Sequence, residues 1–135
     1  MPFRLACFSD AMMLVTHWDG RVTVGDLARG YDAYRQHPEV DHVTKHLQDL
    51  RSVEDLAVFR DGLMMLADVV RQDSASRVIP CMTAFVVRDV RFLSELLNYA
   101  ADLSRAPALT ARVFDDLAVA LTWLGVSPDF DIVSI

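Results

Sequence analysis

The sequence predicts an α/β protein with one mixed, mostly parallel sheet of five strands and with four helices. Short apolar segments rich in β-branched residues alternate with longer ones whose apolar residues recur every three or four positions. A chain of 135 residues with a hydrophobic fraction of 53% suits one domain with a substantial core. The resulting order, ββαβαβαβα, is typical of a sheet covered by helices.

The first two strands precede any helix. The segments FRLACFS and MMLVTHW are short and rich in β-forming residues, and the two residues between them predict a tight hairpin. We expect Gly20 to end the second strand. Thr23 and Asp26 stand three positions apart, which is the spacing of a capping box, and they predict the start of the first helix.

Residues 39–50 fit two structures. As a helix they form a single apolar stripe; as a strand they place Val43 and Leu47 on one side and His46 and Gln48 on the other. We choose the strand, because a helix here would leave two long helices joined by almost nothing. The polar side of this strand is expected to be solvated or partly covered.

The strongest helical pattern in the chain comes next. Ser52 stands three residues before Asp55, again the spacing of a capping box. Apolar residues then repeat in helical steps: Leu56, Phe59, Leu63, Leu66 and Val70. We therefore predict a second helix that begins at Ser52 and is deeply buried on one side.

The second half of the chain continues the alternation. RVIPCMTAFVV predicts a buried strand, DVRFLSELLNYAADLS a helix capped by Asp89, LTARVF a short strand, and DLAVALTWLG a last helix capped by Asp115. We assign residues 1–125 to one domain. Residues 126–135 form a tail, a candidate for an extra edge strand in this sheet or in that of a neighbouring subunit.

Composition excludes several classes of function. The net charge is −6 with no basic cluster, which argues against a nucleic-acid partner. No apolar run is long enough to span a membrane, and no signal-peptide pattern is present. Cys7 and Cys81 lie far apart in apolar surroundings, which favours a reduced cytoplasmic protein.

Catalytic and metal-binding patterns are missing as well. The sequence has neither a Gly-x-Ser-x-Gly nucleophile motif nor a phosphate-binding loop. His42 and His46 would share a helix face, but on a strand four residues span about 13 Å, too far for one ion. We predict no enzyme, no metal and no cofactor.

Three segments carry a resemblance to a known family: MLVTHWDGRVTVGDLARGY, DLRSVEDL and ARVFDDLAVALTWLG. Together with the order of elements they resemble the SpoIIAA-like family of small bacterial proteins. These share the fold of STAS domains, found in sulfate transporters and anti-sigma-factor antagonists, and have relatives among CRAL-TRIO lipid-binding domains. The resemblance implies a STAS-like fold and a non-enzymatic regulatory or protein-interaction module, and most members have no established activity.

The resemblance gives Ser52 a second interpretation. Anti-sigma-factor antagonists carry a phosphorylated serine at the start of the second helix, and Ser52 falls in the equivalent place. Their site is an Asp-Ser closely followed by glycine, whereas Arg51 and Val53 flank the serine here. We favour a helix cap over phosphorylation, because the capping pattern alone accounts for this residue.

Two classes of function remain. One is a regulatory module that binds a protein partner through a sheet edge or the second helix, and that self-associates, as a homodimer, to cover surplus apolar surface. The other is a binder of a small apolar ligand or lipid, with a cavity between the second and third helices. The candidate ligand or interface residues are Met64, Met65, Phe92 and Tyr99.

Overall fold

The computed structural model describes residues 2–77 and 79–133. The main elements are β1 Phe3–Phe8, β2 Met13–Thr23, α1 Val24–Arg35, β3 Lys45–Ala57, α2 Arg60–Ser74, β4 Cys81–Val86, α3 Leu93–Leu103, β5 Leu109–Phe114 and α4 Leu117–Trp123. Short 3-10 turns follow β1, precede β3 and precede α3. This is the predicted order of strands and helices.

The strands form one sheet in the order β1-β2-β3-β4-β5. β1 is antiparallel to β2, and every other neighbouring pair is parallel. The prediction of a mixed, mostly parallel five-stranded sheet is therefore confirmed. Residues 39–50 also contain the predicted strand, although β3 starts only at Lys45 and a 3-10 turn spans Val40–His42.

Two layers cover the sheet. Helices α1, α2 and α3, here called the helical layer, bury one face, and α4 with the C-terminal tail buries the other. Along β3 successive side chains alternate between these faces, so that Leu50 packs under the helical layer while Leu47 packs under α4. A close approach of Gly30 in α1 to the Trp18 ring helps seat the helical layer on β2.

β2 is longer than predicted. It continues through Gly20, which adopts a positive φ of 66°, and ends at Thr23. The pairing register between β2 and β3 shifts on either side of this glycine. Gly20 was predicted to end the strand, but it forms an irregularity within the strand. Glycine suits this position because it adopts a positive φ at little cost.

The predicted helix cap at Ser52 is wrong. Ser52 lies within β3, is exposed, and pairs with Asp19 of β2. Val53 is buried, whereas its neighbours on both sides are exposed. This alternation suits a strand, so β3 continues along β2 past Ser52. The helix α2 begins only at Arg60, with Phe59 at the N-cap position and no side-chain cap.

Two other predicted caps have definite outcomes. The Thr23–Asp26 capping box at the start of α1 is confirmed, with both reciprocal hydrogen bonds present. The cap of α4 is Asp116 rather than Asp115, because the Asp116 carboxylate accepts a hydrogen bond of 3.1 Å from the backbone N–H of Val119. Asp89 caps the 3-10 turn that leads into α3.

The tail packs on the α4 face. Residues 126–133 form no strand in this chain; instead Val126 and Ile132 are buried, and Phe130 meets Phe8 edge-on at 5.1 Å between ring centroids. Residues 134 and 135 lie outside the described part of the chain. A strand added to a neighbouring subunit stays a prediction.

Candidate functional site

A cavity of about 430 Å³ lies between the sheet and the helical layer. Ligand-binding pockets in proteins usually span about 300–1,000 Å³. The walls are apolar for the most part: Leu27, Leu50, Val70, Phe85, Leu96, Leu103, Leu109 and Ala111. This is the kind of space that the ligand-binding alternative requires, and it reaches α1 and the sheet as well as α2 and α3.

The sheet contributes a polar patch to the floor of the cavity. His46 and Gln48 are alternate residues of β3 and face the helical layer. Thr83 of β4 is the pairing partner of His46. His46 and Thr83 are buried and Gln48 is half-buried, so helices cover the polar side of β3, which was expected to be solvated or partly covered.

His46 is held as a neutral ring. Its Nε2 shares a hydrogen bond of 2.8 Å with the hydroxyl of Thr16, and the Tyr34 ring stacks on it with 4.2 Å between ring centroids. Burial lowers the pKa of His46 to about 3. The ring is therefore uncharged near neutral pH.

Two tyrosines close the cavity from α1. The Tyr34 hydroxyl and the Cys81 thiol share a contact of 3.6 Å, and the Tyr31 hydroxyl donates to Asp73 at 3.1 Å. Burial raises the pKa of both tyrosines and of the Cys81 thiol. The thiol is therefore protonated and a poor nucleophile.

Two polar groups in the cavity wall have hydrogen-bonding capacity to spare. Tyr99 is only 6% exposed, and its hydroxyl makes no hydrogen bond with any described residue. Gln48 accepts a bond of 3.0 Å from Trp18 Nε1, but its amide nitrogen donates to no described residue. Every fully enclosed polar atom of the described side chains has a partner, so these two unpaired groups must meet open space. Gln48 lines this cavity, and Tyr99 lines both this cavity and a smaller recess between α2 and α3.

The mouth of the cavity lies at the amino ends of β3 and β4. Its exposed lining residues come from the end of α1, the turn before β3 and the end of α2: Arg35, Asp41, Gln72 and Ser76. Open α/β sheets more often bind ligands at the carboxyl ends of their strands. The cavity is thus a gap beneath the helices rather than a crevice at the strand tips.

Two arginines at the mouth are held in place by contacts within the protein. Arg35 lies 3.5 Å from Asp73. Arg77 donates to the backbone carbonyls of Val43 at 2.7 Å and Ile79 at 3.0 Å. These contacts fix both guanidinium groups beside the opening.

Of the predicted site residues, only Tyr99 borders this cavity. Phe92 is buried in the core beside it. Met64 lines the second, smaller recess of about 270 Å³ between α2 and α3, which Tyr99 also borders. Met65 lines neither space and is 70% exposed. Ser52 is on an exposed stretch of β3 outside the cavity. The residues that sequence reasoning missed are Tyr31, Tyr34, His46, Gln48 and Thr83.

A second buried polar cluster lies on the opposite face. His17 Nδ1 is 3.3 Å from Asp49, and its Nε2 donates to the Ile132 carbonyl at 2.9 Å. The Arg51 guanidinium donates twice to Asp49, at 2.8 and 3.0 Å, and the Arg51 backbone N–H donates once, at 3.1 Å. Burial acts to raise the pKa of Asp49, but the hydrogen bonds from His17 and Arg51 outweigh it and hold the pKa below its usual range. This cluster ties the tail to β2 and β3.

Among the described residues, no group of three or more His, Cys, Asp and Glu side chains could hold a metal ion. His42 and His46, which a helix would have brought together, are separated in this fold. His42 is exposed in the turn before β3, and His46 is buried in the sheet. The described part of the chain also contains no helix with the length and hydropathy to span a membrane.

A search of solved structures finds a similar protein from Shewanella loihica. It is an uncharacterised member of the DUF3478 family with a SpoIIAA-like fold. The TM-score is 0.54 over 90% of this chain and 91% of that one, at 12% sequence identity. The present chain has a SpoIIAA-like fold. The predicted resemblance is thereby confirmed at the level of the fold.

No protein-family model matches the chain, and no curated protein matches it. The SpoIIAA-like fold by itself implies no activity, because one fold supports many functions.

Proposed function

We propose that this SpoIIAA-like protein is a non-enzymatic module that binds a small molecule between its sheet and its helical layer. The observation that carries the proposal is the cavity of about 430 Å³ with apolar walls and spare hydrogen-bonding groups. A site of this composition suits a ligand that is mostly apolar and carries few polar atoms. A regulatory role would follow if the ligand changes how the protein meets a partner.

The chemistry of the cavity supports binding rather than catalysis. The Cys81 thiol is protonated, and His46 pairs with Thr16 instead of activating a nucleophile. A general base needs a pKa near the working pH, whereas burial lowers the pKa of His46 to about 3. The expectation of a protein without enzymatic activity therefore remains part of the proposal.

The test is a titration with naphthalene, followed by nuclear magnetic resonance of the labelled protein. We expect shifts at residues around the cavity, and loss of binding by tenfold or more when Ala111→Leu fills it. The control is Ala118→Leu, which adds the same side chain at an exposed position of α4. Binding that survives Ala111→Leu unchanged, or no binding at all, would contradict the proposal.

A second candidate function is an interaction module that also forms homo-oligomers. The observation that favours it is a set of apolar side chains on the outer side of α2, of which Met65 is 70% and Val69 is 50% exposed. Phe59, just before the helix, is 62% exposed. Apolar surface of this kind is often covered by a second protein or a second copy.

This candidate predicts self-association through α2. We expect light scattering to show a dimer that Val69→Glu dissociates, because the introduced carboxylate would be buried in the interface. The matched control is Val119→Glu, the same change at an exposed valine of α4. A monomer at all concentrations, or a dimer that both variants leave intact, would contradict dimerisation through α2.

A further inference from the structure

This inference rests on the proposed function and concerns the chemistry of the ligand. A cavity of about 430 Å³ lies in the lower half of the usual range of about 300–1,000 Å³ for ligand pockets. A compact molecule of about two rings therefore fits within it.

The inner part of the cavity has no ionised wall. The charged residues that line it, Arg35, Asp41, Asp73 and Arg77, all belong to the mouth. Deeper in, the polar groups are hydroxyls, an amide, a thiol and the His46 ring, all uncharged near neutral pH. An ionised ligand group placed there would lose its hydration without gaining a counter-charge.

The mouth does not favour an anion either. The two guanidinium groups of Arg35 and Arg77 are equal in number to the two carboxylates of Asp41 and Asp73, and Arg35 lies 3.5 Å from Asp73. The carboxyl ends of α1 and α2 also point at this opening, and their partial negative charge disfavours anions. The net charge of −6 adds no attraction at long range.

Two unpaired donors in the cavity wall could donate hydrogen bonds to an oxygen atom of a ligand. The Tyr99 hydroxyl is unpaired among the described residues and comes from a side chain that is only 6% exposed. The Gln48 amide nitrogen is a second free donor. A purely apolar ligand would leave both donors unsatisfied once it displaced water.

We infer that the cavity selects compact, uncharged molecules whose apolar body carries a hydroxyl or carbonyl oxygen, which Tyr99 and Gln48 hold by hydrogen bonds. The apolar body lies against Phe85 and the leucines of α1 and α3, and the oxygen points at β3. Ionised analogues of the same shape are rejected.

The test compares three probes of one shape on the full chain by calorimetry at neutral pH: 2-naphthol, naphthalene and 2-naphthoate. We expect 2-naphthol to bind about two- to tenfold more tightly than naphthalene, the usual worth of one hydrogen bond. We expect 2-naphthoate to bind at least tenfold more weakly than 2-naphthol. Tyr99→Phe should lower the affinity for 2-naphthol towards that for naphthalene, and it should not weaken the binding of naphthalene.

The three-probe comparison distinguishes failure of the inference from failure of the proposed function. Binding of 2-naphthoate as tight as that of 2-naphthol overturns the inference and assigns an anion site to Arg77. Equal binding of naphthalene and 2-naphthol overturns the inference and leaves the proposed function standing. If none of the probes binds, the proposed function itself fails. The three-probe comparison needs no variant, so it remains decisive even if Tyr99→Phe does not fold.

Discussion

His46 links the floor of the cavity to stability. Burial lowers its pKa to about 3 in the folded protein, while an unfolded histidine titrates near about 6.5. Between these values the unfolded chain binds a proton at this ring and the folded chain does not. The stabilising effect of a neutral His46 is therefore complete above the pKa of histidine in the unfolded chain. It is lost progressively as the pH falls below that pKa.

We expect the free energy of unfolding to fall by up to about 1.4 kcal/mol per pH unit below about pH 6.5 from this one group. Denaturant unfolding at several pH values down to about pH 4 measures it, because the depressed pKa of Asp49 adds its own loss only below about pH 4. His46→Gln should flatten the slope, and His42→Gln, at an exposed site, should not. An unchanged slope in His46→Gln would contradict this account.

Gly30 is a second residue at which a substitution has a predictable effect on stability. A Cβ at this position would lie 2.5 Å from Trp18 Cη2, and Trp18 is fully enclosed in the core. We expect Gly30→Ala to destabilise the protein by about 1–2 kcal/mol, the overpacking cost less the gain in helix propensity. Gly25→Ala, in the same helix but with its nearest neighbour at 3.6 Å, should be neutral or stabilising. Thermal unfolding of the two variants compares them directly.

At the scale of elements, two similar patterns have different outcomes. Thr23 and Asp26 cap α1, whereas the Ser52–Asp55 pattern lies inside β3. The capping box describes only what the backbone could do locally. At Ser52 the parallel pairing with β2 and the burial of Val53 outweigh it, because they satisfy the backbone along a whole strand.

This difference is measurable. Thr23→Ala should cost about 1 kcal/mol of unfolding free energy, the usual value of an N-cap. Ser52→Ala, an exposed strand position, should change stability by less than about 0.5 kcal/mol. Denaturant unfolding of both variants is the measurement. A cost at Ser52 equal to that at Thr23 would indicate that Ser52 caps a helix after all.

At the scale of the whole molecule, the tail completes the core on the α4 face. Ile132 is only 2% exposed, and its carbonyl accepts a hydrogen bond from His17. We expect Ile132→Ala to cost about 2–5 kcal/mol, the range for a buried aliphatic side chain. Its neighbour Val133 is 61% exposed, so Val133→Ala should cost less than about 0.5 kcal/mol. Equal effects in thermal unfolding would mean that the tail is not docked.

The type and order of the strands and helices follow from local sequence patterns. The alternation of β-branched segments with helical periods predicted the strand and helix order. Residues 39–50 fitted both a helix and a strand, and the strand that became β3 was favoured because a helix would have left two long helices joined by almost nothing. The Thr23 capping box was likewise correct. These features depend on neighbours along the chain, and periodicity and capping are local properties.

Three features depend on tertiary packing instead: where β3 ends, what covers its polar side and where the cavity lies. His46 and Gln48 were expected on one side of a strand, but whether helices or water cover that side depends on how three distant helices pack. Tyr31 and Tyr34 gave only a helical spacing, and Tyr99 belonged to an apolar stripe. A cavity is the space that non-local packing leaves unfilled, and no periodicity along the chain records it.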